Sequence, residues 1–250
     1  INLHDVIKIR KINKSKDIIK FSGLFANQVK IKDNSILRSF VLLRRKGFIK
    51  DGSHYEVKIN KKIPVFSGLG GGSSNSASII KYFLRKKELK NKNFEYFSKT
   101  LGSDIKLFFY SNQIIQKNLM LIKKLKKNKK FYFILVYPYL KCSTKQIYSN
   151  IRSYDKIRKK INLNFNLKTK MTQFLKNSHN SLEKIVIKKF PIIKKILNEI
   201  EQINGCKFSR ITGSGSACFG LFLTKKSADL GLKKIKKKFP KYWCVTGKTI

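Results

Sequence analysis

Acidic side chains are scarce. Against 57 Lys and Arg the 250-residue chain has only 13 Asp and Glu, a formal charge of +44. Tryptophan occurs once, methionine twice, histidine three times and proline four times. The four cysteines, Cys142, Cys206, Cys218 and Cys244, form no C-x-x-C pair, and none has a histidine at metal spacing. A zinc module and a disulfide scaffold are therefore not expected, and the thiols read as reduced, buried side chains of a cytosolic protein. No apolar run reaches eighteen residues, so no membrane-spanning helix is expected. No secretory leader is visible either, which places the expected location in the cytoplasm.

The basic excess has two readings. It can mark a nucleic-acid partner. Here, however, the lysines are spread through every segment, Lys far outnumbers Arg, and no recognition module accompanies the charge. A composition drawn from A/T-rich codons explains the pattern as well. The expectation is no dedicated nucleic-acid partner and no membrane partner, with a non-catalytic basic nucleic-acid-binding protein as the alternative from another class. With 42% hydrophobic residues the chain can build one or two packed cores.

What is present is organised around Pro64-Val65-Phe66-Ser67-Gly68-Leu69-Gly70-Gly71-Gly72-Ser73-Ser74-Asn75. Tyr55, Val57 and Ile59 alternate before it and predict a half-buried strand. Ala77, Ile80, Phe83, Leu84 and Lys87 follow at helical spacing, predicting a helix from near Ser74. Strand, glycine loop and helix start together make a site for an anion, most often phosphate. No Gly-Lys-Ser/Thr follows the glycines, so this is not a Walker A loop. Ser73 replaces the last glycine of a dinucleotide fingerprint.

Asp5–Ile9 and Asp17–Phe21 read as short strands, and Asp33-Asn34-Ser35 as the cap of a helix carrying Ile36, Phe40, Leu42 and Leu43. Phe94, Phe97 and Leu101 mark a helix closed by Gly102, with Ser103 expected to cap a short helix that holds Asp104 in its first turn. The run Lys123–Lys130 reads as a solvated connector or hairpin. Phe131–Leu140 reads as a dense strand, and Ser143-Thr144 as a capped helix start leading to Tyr148. Thr144 and Tyr148 can be helix packing or ligand contacts. Phe190–Ile203 is amphipathic and ends at Gly205. Short strands then flank Thr212-Gly213-Ser214-Gly215, a turn that can bring backbone N–H groups to an anion or simply close a hairpin. Ser227–Phe239 and Tyr242–Val245 read as a last helix and strand.

Pro64–Asn75 resembles the second motif of the GHMP kinases, the family of galactokinase, homoserine kinase and mevalonate kinase. Leu101-Gly102-Ser103-Asp104 resembles the family's Leu-Gly-Ala-Asp, Asn180-Ser181-Leu182-Glu183 its Asn-Asp-Leu-Glu, and Ser209–Gly220 its third motif. The resemblance implies an α+β fold with a two-domain GHMP kinase architecture. An N-terminal α/β ATP-binding domain would span 1–127, and a C-terminal ferredoxin-like α+β domain 128–250. It implies ATP held by Pro64, Val65, Phe66, Ser67, Gly68, Leu69, Gly70, Gly71, Gly72, Ser73 and Ser74, with Mg²⁺ and no assigned protein metal ligand. It implies Asp104 as the catalytic base. Thr144, Tyr148, Gly213, Ser214 and Gly215 would contact the acceptor.

Triple glycine followed by Ser-Ser-Asn is the variant of the branch whose acceptor is a cytidine-diphosphate methylerythritol, an isoprenoid precursor. An acceptor of the homoserine or mevalonate type is the alternative within the family. The resemblance begins at about Ile1, which is not Met, so the family's first motif, with its lysine and its Tyr-His pair, is expected upstream. Phe66 stands where the family has a small residue, Ser76 replaces an alanine and Ser181 an acid.

Overall fold

A computed structural model describes the chain except residues 33, 86–89, 111–112, 117–120, 126–127 and 152–166. Asp33 and Lys87, read above as part of a cap and a helix, and Lys126 and Lys127 of the basic run lie outside the described residues. The chain forms two compact units. One comprises Leu3–Val65 and Gly70–Lys126. The other comprises Ile1–Asn2, Phe66–Leu69 and Lys127–Ile250.

The first unit is built on three strands, β1 (Val6–Ile12), β2 (Ile18–Ser22) and β3 (His54–Asn60), in the order β1-β3-β2. β3 runs antiparallel to β1 and parallel to β2. Between β2 and β3 lies α1 (Ser35–Arg45), and after β3 come α2 (Gly71–Phe83) and α3 (Asn91–Leu101). Asn34 caps α1, its side-chain oxygen accepting from the N–H groups of Ile36 and Leu37, both at 3.1 Å. Ile36, Phe40 and Leu43 of α1 close over Val57 and Ile59 of β3 and over Ala77, Ile79 and Ile80 of α2 in one apolar core. The helical spacing puts those side chains on one face, and the alternation in β3 does the same for its strand. A 3₁₀ turn, Ser103–Phe109, packs against α2 and α3. Its N-cap is Gly102 at φ 113°, not Ser103 as the sequence suggested. The Ser103 hydroxyl faces the Asp104 carboxylate at 3.5 Å instead. β4 (Ile114–Gln116) and β5 (Ile122–Lys124) form an antiparallel pair, so the basic run begins in a hairpin strand.

The second unit carries a four-stranded antiparallel sheet. Its strands are β6 (Tyr132–Tyr137), β7 (Cys206–Ile211), β8 (Cys218–Phe222) and β9 (Trp243–Lys248), in the order β7-β8-β6-β9. Between β6 and β7 lie α4 (Thr144–Tyr148), α5 (Lys168–Asn177), α6 (Glu183–Lys189) and α7 (Ile192–Glu201). Between β8 and β9 lies α8 (Lys225–Lys238). This split β-α-β order is the ferredoxin-like pattern. Ile193, Ile196 and Ile200 of α7, three and four residues apart, face the sheet with Ile134, Val136 and Phe222. All four cysteines are free thiols, and Cys142, Cys218 and Cys244 are buried.

Candidate functional site

The glycine-rich loop is divided between the units. Its last part caps α2. Gly70 is the N-cap residue at φ 70°, a left-handed conformation that glycine adopts without strain. No side chain satisfies the first turn and no acid stands in it. By helix geometry the N–H groups of Gly71, Gly72 and Ser73 have no carbonyl behind them, and the helix dipole adds positive potential at the same point. The space beside Gly70 is filled by Phe108 of the 3₁₀ turn: a Cβ on Gly70 would lie 2.5 Å from its ring. Phe108 thereby packs the turn that bears Asp104 against the start of α2. Asp104 itself is exposed.

The α1 and α2 starts are also tied together. The Ser35 hydroxyl donates to the Gly72 carbonyl at 3.3 Å, and the Ser76 hydroxyl donates to the Ser35 carbonyl at 3.2 Å. Ser76, in place of an alanine, therefore makes a helix-to-helix bond. Upstream, Pro64 is buried and the Val65 N–H donates to Gln28 Oε1 at 3.0 Å.

The middle of the loop, Phe66–Leu69, packs on the Thr212–Ala217 turn of the second unit. The Ser67 carbonyl accepts from the Ala217 N–H at 3.0 Å and from the Thr212 hydroxyl at 3.3 Å. The Phe66 carbonyl accepts from the Cys142 N–H at 3.3 Å, and the Leu69 N–H reaches Ser67 Oγ at 3.4 Å. Gly68 (φ 75°) and Gly213 (φ 48°) let the two backbones touch, since a Cβ on Gly213 would lie 3.0 Å from the Gly68 carbonyl oxygen. Phe66 holds a positive φ of 58°, and the residue is 43% exposed.

The same turn meets α4. Thr144 Oγ1 and Ser214 Oγ are 3.1 Å apart, and Ser143 caps the helix. Tyr148, one turn on, is 53% exposed, which a core role would not produce. The turn is held from behind by residues assigned no ligand above. Asn180 Nδ2 donates to the carbonyls of Gly213 at 2.8 Å and Ile211 at 3.3 Å. Glu183 Oε2 accepts from the Ile211 N–H at 2.9 Å. Asn180 and Glu183 stand in the tetrapeptide that resembles Asn-Asp-Leu-Glu, which was the available signal. The motif match alone did not say what they grip.

The family profile "GHMP kinases N terminal domain" matches residues 34–106, and "GHMP kinases C terminal" matches 148–241. A 4-diphosphocytidyl-2-C-methyl-D-erythritol kinase of Pelagibacter ubique is 34% identical over 255 residues, covering 100% of this chain and 88% of that protein. The protein of that name in Buchnera aphidicola is 35% identical over 236 residues, covering 92% and 76%. Among solved structures, a 4-(cytidine 5'-diphospho)-2C-methyl-D-erythritol kinase matches with a TM-score of 0.68 at 21% identity, covering 97% of this chain and 85% of that one. A mevalonate kinase matches with a TM-score of 0.68 at 15% identity, covering 99% and 90%.

Proposed function

The chain belongs to the GHMP kinase family and is a small-molecule kinase, and we propose that the α2 N-terminus holds the phosphates of ATP while Asp104 acts as base toward the acceptor. The acceptor is 4-diphosphocytidyl-2-C-methyl-D-erythritol, phosphorylated on its 2-hydroxyl on the route to isoprenoid precursors. The names of the two relatives from Pelagibacter ubique and Buchnera aphidicola support this acceptor.

The observation that carries the assignment is the packing of Phe108 on Gly70, which fixes the turn carrying Asp104 beside the helix start. The N–H groups of Gly71, Gly72 and Ser73 take the phosphate oxygens, because a helix start without a capping side chain leaves these donors for a ligand, whereas the Ser74 N–H donates to the Gly70 carbonyl at 2.9 Å. Phosphoryl transfer requires mostly positioning and charge stabilisation. The Asp104 carboxylate accepts the proton of the 2-hydroxyl as its oxygen bonds to the γ-phosphorus, and ADP leaves. Asp104 is suited to this because it is exposed, with the Ser103 hydroxyl 3.5 Å from its carboxylate.

In the second unit the Gly213-Ser214-Gly215 turn contacts the acceptor's phosphates, with Thr144 beside Ser214, and Tyr148 offers an exposed ring to the cytosine. Mg²⁺ neutralises phosphate charge when bound. The described residues hold no cluster of three His, Cys, Asp or Glu side chains. The cation would be held by the phosphate oxygens, with the Ser73 or Ser74 hydroxyl at the helix start beside it.

Phosphorus NMR of the full gene product with ATP and the acceptor tests the reading. A new phosphomonoester on the 2-oxygen is expected. Phosphorylation of homoserine or mevalonate in its place would overturn the acceptor.

A further inference from the structure

Asp5 is a charged group buried by the fold whose work lies outside the chemistry above. Its side chain is 0% exposed and its partner Lys61 is 4% exposed. One carboxylate oxygen, Oδ1, accepts from the N–H groups of Lys62 at 2.7 Å and Ile63 at 2.9 Å. The other, Oδ2, accepts from the Lys61 ammonium and from Asn75 Nδ2 at 2.8 Å. Lys61 to Ile63 lead into the glycine loop from β3. Asn75 lies in the second turn of α2, just past the loop. A single carboxylate therefore ties the two ends of Pro64–Ser74 together across the start of β1.

We propose that Asp5 is a positioning residue that holds the glycine loop in its ligand-ready shape; as a statement about ATP this rests on the assignment of the loop to the nucleotide phosphates. Four donors converge on it, including one full positive charge, and only an ionised carboxylate accepts from all four. Asn at this position would present an amide toward donors on one side and leave buried N–H groups or an ammonium unpaired. The loop ends would then separate, and a shift of about 1 Å in a phosphate cradle is enough to weaken binding strongly.

Asp17 provides a matched control in the same unit. Its carboxylate also accepts several bonds, from both terminal nitrogens of Arg44 at 2.9 and 3.1 Å and from the Tyr55 N–H at 2.9 Å, but it touches no part of the loop.

The test compares Asp5→Asn, Asp17→Asn and the unaltered protein by ATP titration and by amide hydrogen exchange. Asp5→Asn is expected to raise the ATP dissociation constant about tenfold or more. It is also expected to speed exchange over residues 64–75, with residues 206–222 unchanged. Asp17→Asn is expected to lower the melting temperature while leaving ATP affinity within about twofold. Should Asp5→Asn not fold, Asn75→Ala removes only the helix-side bond and is expected to weaken ATP binding about threefold. Equal ATP affinity in Asp5→Asn and the unaltered protein overturns the proposal, as does an equal loss in Asp17→Asn. An unaltered protein that does not bind ATP at all overturns the nucleotide assignment instead, while the exchange comparison still decides whether Asp5 clamps the loop.

Discussion

Gly68 and Thr212 are in backbone contact so close that a Cβ on Gly68 would lie 2.1 Å from the Thr212 carbonyl oxygen. The same atom would lie 2.9 Å from the Gly215 N–H nitrogen. Neither neighbour is a flexible side chain that could move aside. Gly68 also sits at φ 75°, where a side chain is strained whatever the space.

Gly68→Ala is therefore expected to destabilise the protein by about 2–4 kcal/mol, combining left-handed strain with overpacking. Urea denaturation read by tryptophan fluorescence and circular dichroism checks this. Gly47, at φ 70° with nothing within 4 Å of a built Cβ, is the comparison. Gly47→Ala is expected to cost only the strain, about 1 kcal/mol.

Asp104→Asn should separate chemistry from stability. The side chain is exposed, so the folding stability is expected to change by no more than about 0.5 kcal/mol. kcat is expected to fall by about 10²–10⁴ with the ATP dissociation constant nearly unchanged. Turnover equal to the unaltered protein would remove Asp104 from the base role.

Asn180→Ala removes the donor that holds the Gly213 carbonyl at 2.8 Å. The cost to folding is expected to be about 1–3 kcal/mol. Because the Thr212–Ala217 turn is the proposed acceptor contact, the acceptor KM should rise more than the ATP KM. Steady-state kinetics with each substrate varied in turn reads the difference.

The cysteines give a pH dependence. Burial is the main cause that pushes Cys206 and Cys244 up to about 11, and burial also drives the Cys218 thiol upward. A folded-state pKa above the unfolded value of 9.0 means the folded protein holds the proton more tightly. That stability is fully present below pH 9 and is lost as pH rises towards 11. The urea midpoint of the unaltered protein should fall across this window. A Cys206→Ala, Cys244→Ala protein should fall less. At pH 8, reaction of the native thiols with a disulfide reagent should be much slower than after unfolding.

Taken by itself, the amino-acid sequence determined the local elements and the family. Apolar spacing is a property of neighbours a few residues apart, so α1, α2, α7, β3 and β6 were legible, as were the caps Asn34 and Ser143. Glycines that must adopt positive φ, such as Gly70 and Gly213, also announced themselves, because the requirement lies in the residue's own backbone. The misplaced cap at Ser103 failed for the opposite reason. Gly102 can end one helix and start the next turn, and no local rule chose between it and the serine.

What only the tertiary structure decided are contacts between residues far apart in the chain. Ser67 bonds to Ala217, Thr144 meets Ser214, Asn180 and Glu183 grip the turn before β8, and Asp5 reaches Lys61 and Asn75. Asp5 read in sequence as nothing more than the start of a strand. A buried carboxylate's partners are chosen by which donors the fold delivers to it, and that is information no short window of sequence contains.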